Sequence, residues 1–177
     1  MNNNFQNFNF VTGYLMGGLG NQLFIIFAVL SYAIDKGISI RFPRFSRDGD
    51  RPFYFNTFLS SLQCYLIDTT PDNLQFRKYK ERELFVYSTI PRYSKSFCLY
   101  GYFQNVMYFE NNKEKILEII GFHKQVELVK EKFPHFDTFD CSLHFRIGDA
   151  KVNTGFIILD TSYFINAIKR LNGIRSV

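Results

Sequence analysis

The sequence has no tryptophan and only three cysteines among its 177 residues. Cys64, Cys98 and Cys141 are an odd number with no short spacing between them, so they form neither a zinc-finger pattern nor a disulfide framework. We interpret them as buried free thiols of a protein in a reducing compartment. The absence of tryptophan has no explanation in terms of folding.

No segment has the character of an export signal or a membrane anchor. Residues 1–9 are polar and rich in asparagine, and they lack the basic start of a secretory signal. The apolar run Leu23–Ile34 is interrupted by Ser31 and is too short to cross a bilayer, which favours a buried helix. We therefore expect a protein that is cytoplasmic or peripheral to a membrane.

Composition and charge indicate a globular domain that binds anions but not nucleic acid. Apolar residues make up 46% of the chain, which excludes a disordered composition. The formal net charge of +5 suits an anionic ligand such as a sugar nucleotide. Because the basic residues form no run, no nucleic-acid groove is indicated.

The chain is organised around the glycine-rich stretch 17–24, GGLGNQLF, which lies between two apolar runs. We interpret it as a tight turn between a strand and the first turn of a buried helix. Glycine permits positive φ and lets a ligand approach the backbone closely. The unpaired N–H groups at a helix start attract negative charge, so the arrangement suits a phosphate.

The known phosphate-binding motifs do not match this stretch fully. It is not a P-loop, because no Gly-Lys-Ser/Thr follows it. Gly18 and Gly20 fit the first two positions of a dinucleotide fingerprint, but Leu23 stands where the third glycine belongs. A glycine turn that only permits close packing is the alternative interpretation. The amides of Asn21 and Gln22 favour a ligand site, since they offer several hydrogen bonds.

The apolar pattern predicts an α/β fold. A strand at Phe10–Met16, a helix at Gln22–Lys36 ended by Gly37, and a strand at Ile38–Phe42 form a predicted βαβ unit. Further predicted strands are Tyr65–Asp68, Leu84–Ile90, Phe97–Phe103 and Cys141–Phe145, with an irregular segment at Thr69–Arg82. Further predicted helices are Phe55–Leu62, Glu110–Gly121, Lys124–Phe133 and Tyr163–Leu171, the last capped by Asp160, Thr161 or Ser162.

Three short motifs lie far apart in the sequence. They are the stretch 17–24, residues 101–104 (GYFQ) with Tyr108 and Phe109, and residues 144–149 (HFRIGD). They are similar, in this order, to Gly-x-Gly-Asn-Gln-Leu/Met-Phe, Gly-Tyr-Trp/Phe-Gln…Tyr-Phe and His-x-Arg-x-Gly-Asp. These three patterns are motifs of the α-1,2-fucosyltransferase family, where they occur in the same order and at roughly the same spacing. The chain therefore resembles that family.

The resemblance implies a GT-B-type glycosyltransferase with Rossmann-like parallel sheets. The implied organisation is a disordered lead-in (1–9), an N-terminal α/β domain (10–137) and the beginning of an incomplete nucleotide-sugar-binding domain (138–177). The implied activity is inverting transfer of fucose from GDP-fucose to a hydroxyl of a glycan acceptor, such as a galactoside.

The resemblance also implies roles for individual residues. Arg146 holds the donor diphosphate, since a guanidinium meets two of its oxygens at once. His144 and Asp149 join it as catalytic residues; Asp149 accepts the proton of the acceptor hydroxyl or orients Arg146, with an Asx-type turn as the alternative. The implied substrate- or donor-binding residues are Gly18, Gly20, Asn21, Gln22 and Gln104. No metal or other cofactor is implied, because Arg146 takes the place of a cation.

The sequence departs from the family pattern in two respects. Ile147 stands where the family usually has a second arginine, and the chain ends at Val177 before the family's Ser-Asp-Asp and Asn-Ser-Ser-Phe-Ser-Trp-Trp stretches. We therefore expect either an inactive product or a fold that a second chain or homo-oligomer completes. The alternatives to an enzyme are a non-catalytic remnant that binds a glycan or a partner chain, and an unrelated nucleotide-binding α/β domain.

Overall fold

The apolar run that begins at Phe10 forms an interior strand of a parallel sheet. The computed structural model describes residues 9–44, 54–68, 76–135, 138–145, 148 and 157–171. Strand β1 (Phe10–Gly13) is buried throughout and lies between β2 (Ser39–Ile40) and β6 (Phe97–Tyr100), both parallel to it. A short apolar run is typical of a strand in this interior position.

Helix α1 (Leu19–Lys36) connects β1 to β2 and confirms the predicted βαβ unit. It packs directly on β1, because a Cβ added at Gly13 would lie 2.6 Å from the side chain of Ile25. On another side, two of its phenylalanine rings pack against Phe109, with ring centroids 5.8 and 5.2 Å apart. The helix ends at Gly37 as predicted, where φ is 61° and the backbone N–H caps the last turn.

Among the described residues the main sheet has four strands in the order β2–β1–β6–β5, with β5 (Arg77–Lys80) as an outer strand. All three strand pairings are parallel. A second sheet consists of the parallel strands β3 (Phe42–Pro43) and β4 (Leu66–Ile67). The mixed α/β class is confirmed, and the parallel sheet is compatible with a Rossmann-like fold.

The chain divides into two compact units, Met1–Gln125 and Val126–Val177. The other α-helices in the described ranges are α2 (Lys113–Ile119), α3 (Phe122–Lys132), which crosses this division, and α4 (Thr161–Arg170) in the second unit. Short 3₁₀ helices occupy Tyr54–Asn56, Ser60–Tyr65, Val106–Tyr108 and Glu110–Asn112. No helix in the described part of the chain is both long and apolar enough to cross a membrane.

Three sequence predictions of strands and loops are wrong. Leu84–Ile90 contains no strand, and Leu84 and Phe85 are 54% and 65% exposed. Cys141–Phe145 contains no strand either, so His144 does not lie at a strand end. The segment predicted to be irregular contains β5, whose exposed basic side chains suit the edge of a sheet.

Candidate functional site

The glycine turn at the start of α1 follows the carboxyl end of β1. Gly17 has a φ of 71°, and Gly18 occupies the N-cap position. The helix begins at Leu19, three residues earlier than predicted, so Asn21 and Gln22 lie in its first turn. Within the described residues no side chain caps this N-terminus. Its partial positive charge is therefore available to an anion.

The glycines of this turn differ in what surrounds them. A Cβ added at Gly17 would collide with the side chain of Asn21, whereas a Cβ at Gly18 or Gly20 would meet no atom of the described residues within 4 Å. Glycine inside a helix destabilises it by about 1 kcal/mol relative to alanine. Packing therefore explains Gly17 but gives no reason for Gly20, and the open space beside Gly20 suits a ligand that approaches the backbone.

The structure brings Asn21 into direct contact with Gln104. Gln104 Nε2 donates a hydrogen bond to Asn21 Oδ1 at 2.8 Å, although the two residues are 83 positions apart. They meet because β1 and β6 are neighbouring parallel strands, with Gly13 beside Leu99, so the segments that follow both strands emerge at the same edge. Ligands bind at this carboxyl edge in open α/β sheets. Two of the predicted binding residues thus form one half-buried amide pair there.

Gln22 lies beneath the turn. Its side chain is 5% exposed, and Nε2 donates a hydrogen bond to Gly17 O at 2.9 Å. This bond fixes the carbonyl of the residue with positive φ and so stabilises the turn. A direct contact between Gln22 and a ligand stays a prediction.

The residues of the third motif lie in the second unit. His144 is exposed, and Arg146 and Asp149 lie outside the described residues. Their catalytic roles therefore stay predictions.

Glu81 lies at the carboxyl edge of the main sheet, and the sequence analysis did not identify it as a site residue. It directly follows β5, its Oε2 accepts a hydrogen bond from the Tyr102 N–H at 2.7 Å, and its own N–H donates to Tyr100 O at 2.9 Å. Its Oε1 is buried without a hydrogen-bond partner among the described residues. Glu81 could be placed at the carboxyl edge only if β5 were recognised as a strand. The charged sequence of β5 does not have the apolar pattern of a strand, so β5 was not predicted.

Basic side chains on β5 give this part of the sheet positive charge. Arg77, Lys78 and Lys80 are exposed, and Lys78 Nζ lies 5.6 and 5.3 Å from the ring centres of Tyr14 and Tyr100. Such cation–π contacts hold an ammonium group near an aromatic surface. The resulting charge favours an anionic ligand.

Two tyrosines near the edge carry neutral hydroxyl groups. Burial raises the pKa of Tyr79 and that of Tyr108 above the ordinary value. The Tyr108 hydroxyl accepts a hydrogen bond from the Ser88 N–H at 3.1 Å. A hydroxyl that retains its proton at neutral pH is not a general base. Tyr108 is therefore a hydrogen-bonding and packing group, and Tyr79, whose hydroxyl has no hydrogen-bond partner among the described residues, is a packing group.

The fold and the site define an α/β protein with a glycine turn, a helix N-terminus and an amide pair at one edge of a parallel sheet. In the described ranges, no group of three or more His, Cys, Asp or Glu side chains is arranged to hold a metal ion. The chain matches no protein-family model, no curated protein and no solved structure. Any assignment of the chain to a class of protein narrower than this α/β description therefore depends on the three motifs and on the geometry of the site.

Proposed function

We propose that the chain is an α-1,2-fucosyltransferase-like glycosyltransferase of GT-B type that binds GDP-fucose and a glycan acceptor. The observation that carries the proposal is the hydrogen bond between Asn21 and Gln104. These residues belong to two of the three motifs, and nothing in their sequence separation requires them to meet. Their contact at the carboxyl edge of a parallel sheet supports a shared ligand site.

In the proposed reaction the acceptor hydroxyl oxygen attacks the anomeric carbon of fucose on the face opposite the diphosphate. The new C–O bond forms as the bond to the diphosphate breaks, and GDP leaves with the electron pair. The hydroxyl proton passes to Asp149, and Arg146 stabilises the negative charge that grows on the diphosphate. Loss of one such charge-stabilising donor costs on the order of 3 kcal/mol. His144, two residues before Arg146, belongs to the same proposed group.

A GDP-fucose titration by calorimetry tests this function. We expect the wild-type chain to bind GDP-fucose and Arg146→Ala to bind it at least about tenfold more weakly, since the variant loses charge-assisted hydrogen bonds to the diphosphate. The exposed arginine Arg92 provides the control, and Arg92→Ala should bind like the wild type. Absence of binding by the wild type, or equal affinity of wild type and Arg146→Ala, would contradict the proposal.

An exposed apolar patch favours a second function, a non-catalytic protein that binds a glycan or a partner chain. The patch comprises Leu84, Phe85, Val86, Tyr87, Val106 and Met107, whose exposed fractions lie between 37% and 65%. Asn105 Nδ2 joins its two segments through a hydrogen bond to Phe85 O at 2.8 Å. Exposed apolar patches often mark interaction surfaces. This second function predicts glycan binding or self-association without fucose transfer.

Binding of adenine nucleotides would instead indicate the third alternative, an unrelated nucleotide-binding domain.

A further inference from the structure

The segment that carries Gln104 leaves β6 through two unusual backbone conformations. Gly101 has a φ of 155°, and Phe103, which is fully buried, has a φ of 53°. Residues with side chains rarely adopt positive φ, and surrounding contacts must hold them there. Gln104 then lies at the centre of a three-residue turn, in which the Asn105 N–H donates to Phe103 O at 2.8 Å. The position of the Gln104 side chain therefore depends on what fixes this segment.

Glu81 supplies the contacts at the centre of the segment. Its Oε2 accepts the hydrogen bond from the Tyr102 N–H at 2.7 Å, between the two residues with positive φ. A Cβ added at Gly101 would lie 2.6 Å from the same oxygen, so the side chain of Glu81 occupies the space that a larger residue would need. The glycine of the GYFQ motif and the carboxylate thus fit each other.

We propose that Glu81 is a positioning residue for Gln104, and through it for the amide pair that Gln104 forms with Asn21. The connection runs from Glu81 Oε2 to the Tyr102 backbone and on to Gln104 Nε2, which donates to Asn21 Oδ1 at 2.8 Å. Glu81 acts as a hydrogen-bond acceptor at a fixed distance, and its charge is not the source of the effect. The identity of the ligand rests on the proposed function, but the positioning of Gln104 does not.

Two variants of Glu81 separate the effect of its side-chain length from the effect of its charge. Glu81→Gln keeps an acceptor oxygen at the distance of Tyr102 and removes the charge, while Glu81→Asp keeps the charge and withdraws the acceptor by one methylene. Because Oε1 has no partner among the described residues, the glutamine variant breaks no existing hydrogen bond there. Glu83→Gln is the control, since Glu83 is an exposed residue two positions along the chain.

The first measurement is the NMR signal of the Gln104 side-chain amide, with Asn21→Ala as the reference for an amide that has lost its partner. We expect Glu81→Asp to shift this signal to the reference position, and Glu81→Gln and Glu83→Gln to leave it in place. The second measurement is GDP-fucose affinity. We expect Glu81→Asp to weaken binding at least about tenfold, because small misplacements of binding groups have large effects. Glu81→Gln should bind within about threefold of the wild type, because the side-chain oxygen of glutamine also accepts the hydrogen bond from the Tyr102 N–H.

Either of two results would overturn the inference. One is an unchanged Gln104 signal in Glu81→Asp, and the other is a greater disturbance by Glu81→Gln than by Glu81→Asp, which would assign the effect to charge. If the wild type does not bind GDP-fucose, the proposed function fails, while the Gln104 signal still decides the role of Glu81.

Discussion

Gly17 and Gly20 lie three residues apart, yet they are glycines for different physical reasons. Gly17 has positive φ and no space for a Cβ, because the Asn21 side chain lies against it. Gly20 lies within α1, and a Cβ there would meet no atom of the described part of the chain within 4 Å. Gly20 contributes nothing to packing, and alanine at this position would favour the helix. A glycine here therefore indicates a functional requirement and not a structural one.

Gly20→Ala should separate stability from ligand binding. We expect its free energy of unfolding to equal that of the wild type or to exceed it by up to about 1 kcal/mol, from helix propensity. Its affinity for GDP-fucose should fall, because the methyl group would occupy the surface that the proposed ligand approaches. Gly17→Ala is the contrast, and should destabilise the fold by about 1–2 kcal/mol through its left-handed conformation. Chemical denaturation and calorimetry measure both quantities, and unchanged affinity of Gly20→Ala would remove the argument for a ligand at this glycine.

Cys98 should make the fold sensitive to alkaline pH. It is 3% exposed, and burial raises its pKa from 9.0 to about 12. Above pH 9 the unfolded chain releases this proton first, so the full stabilisation is present below pH 9 and is lost as pH rises towards 12. We expect the free energy of unfolding to fall over this range, and to fall less in Cys98→Ala. The prediction of a buried thiol is wrong for Cys64, which is exposed, and is confirmed for Cys98. Thiol labelling of the folded chain should therefore modify Cys64 and spare Cys98, and equal labelling of both would contradict this account.

The stability of helix α4 depends on the hydrogen bonds at its first turn more than on burial, since none of its residues is buried. Asp160 is its N-cap, and its carboxylate accepts hydrogen bonds from the Tyr163 N–H at 3.0 Å and from the Ser162 hydroxyl at 2.6 Å. The bond from Ser162, together with that from Tyr163, lowers the pKa of Asp160. A helix of ten residues without a buried face needs such a cap to form.

Replacement of this cap should loosen the first turn of α4. We expect Asp160→Ala to raise the rate of amide hydrogen exchange in the first turn, and Asp160→Asn to keep most of the protection because an amide oxygen also caps. In the wild type, the lowered pKa means that the cap is fully present above the unfolded pKa near 3.8 and is lost as pH falls through the folded value. Equal exchange rates in wild type and Asp160→Ala would contradict the assignment.

The pattern of apolar residues predicted some elements well and others poorly. The βαβ unit was predictable because β1 and much of α1 are buried, and because the run Leu23–Ile34 of α1 is apolar except at Ser31. Strand β5 could not be predicted because it lies at the sheet edge, where three of its four residues are exposed and basic. Residues 84–90 were wrongly predicted to be a strand for the opposite reason, since the apolar side chains of residues 84–87 lie on the surface. Apolar character predicts burial in the interior of the sheet, but not at its edge.

At the scale of the whole molecule, the strand order creates the candidate site. The sequence predicted Asn21 and Gln104 separately, and it could not predict that they meet. That contact follows from the order β2–β1–β6–β5, which places the segments after β1 and β6 side by side. Glu81 joins them because β5 is the next strand. Long-range pairing of this kind is a property of topology, and no local pattern in the chain encodes it.

The central claim is that Asn21 and Gln104 act together in binding a nucleotide-linked sugar. A double-mutant cycle on GDP-fucose affinity, with Asn21→Ala, Gln104→Ala and the double variant, tests it most directly. We predict that each single variant weakens binding and that the double variant loses less than the sum of the two, by about 0.5–3 kcal/mol, as expected for residues in contact. Losses that add, or a wild-type chain that does not bind GDP-fucose, would contradict the claim.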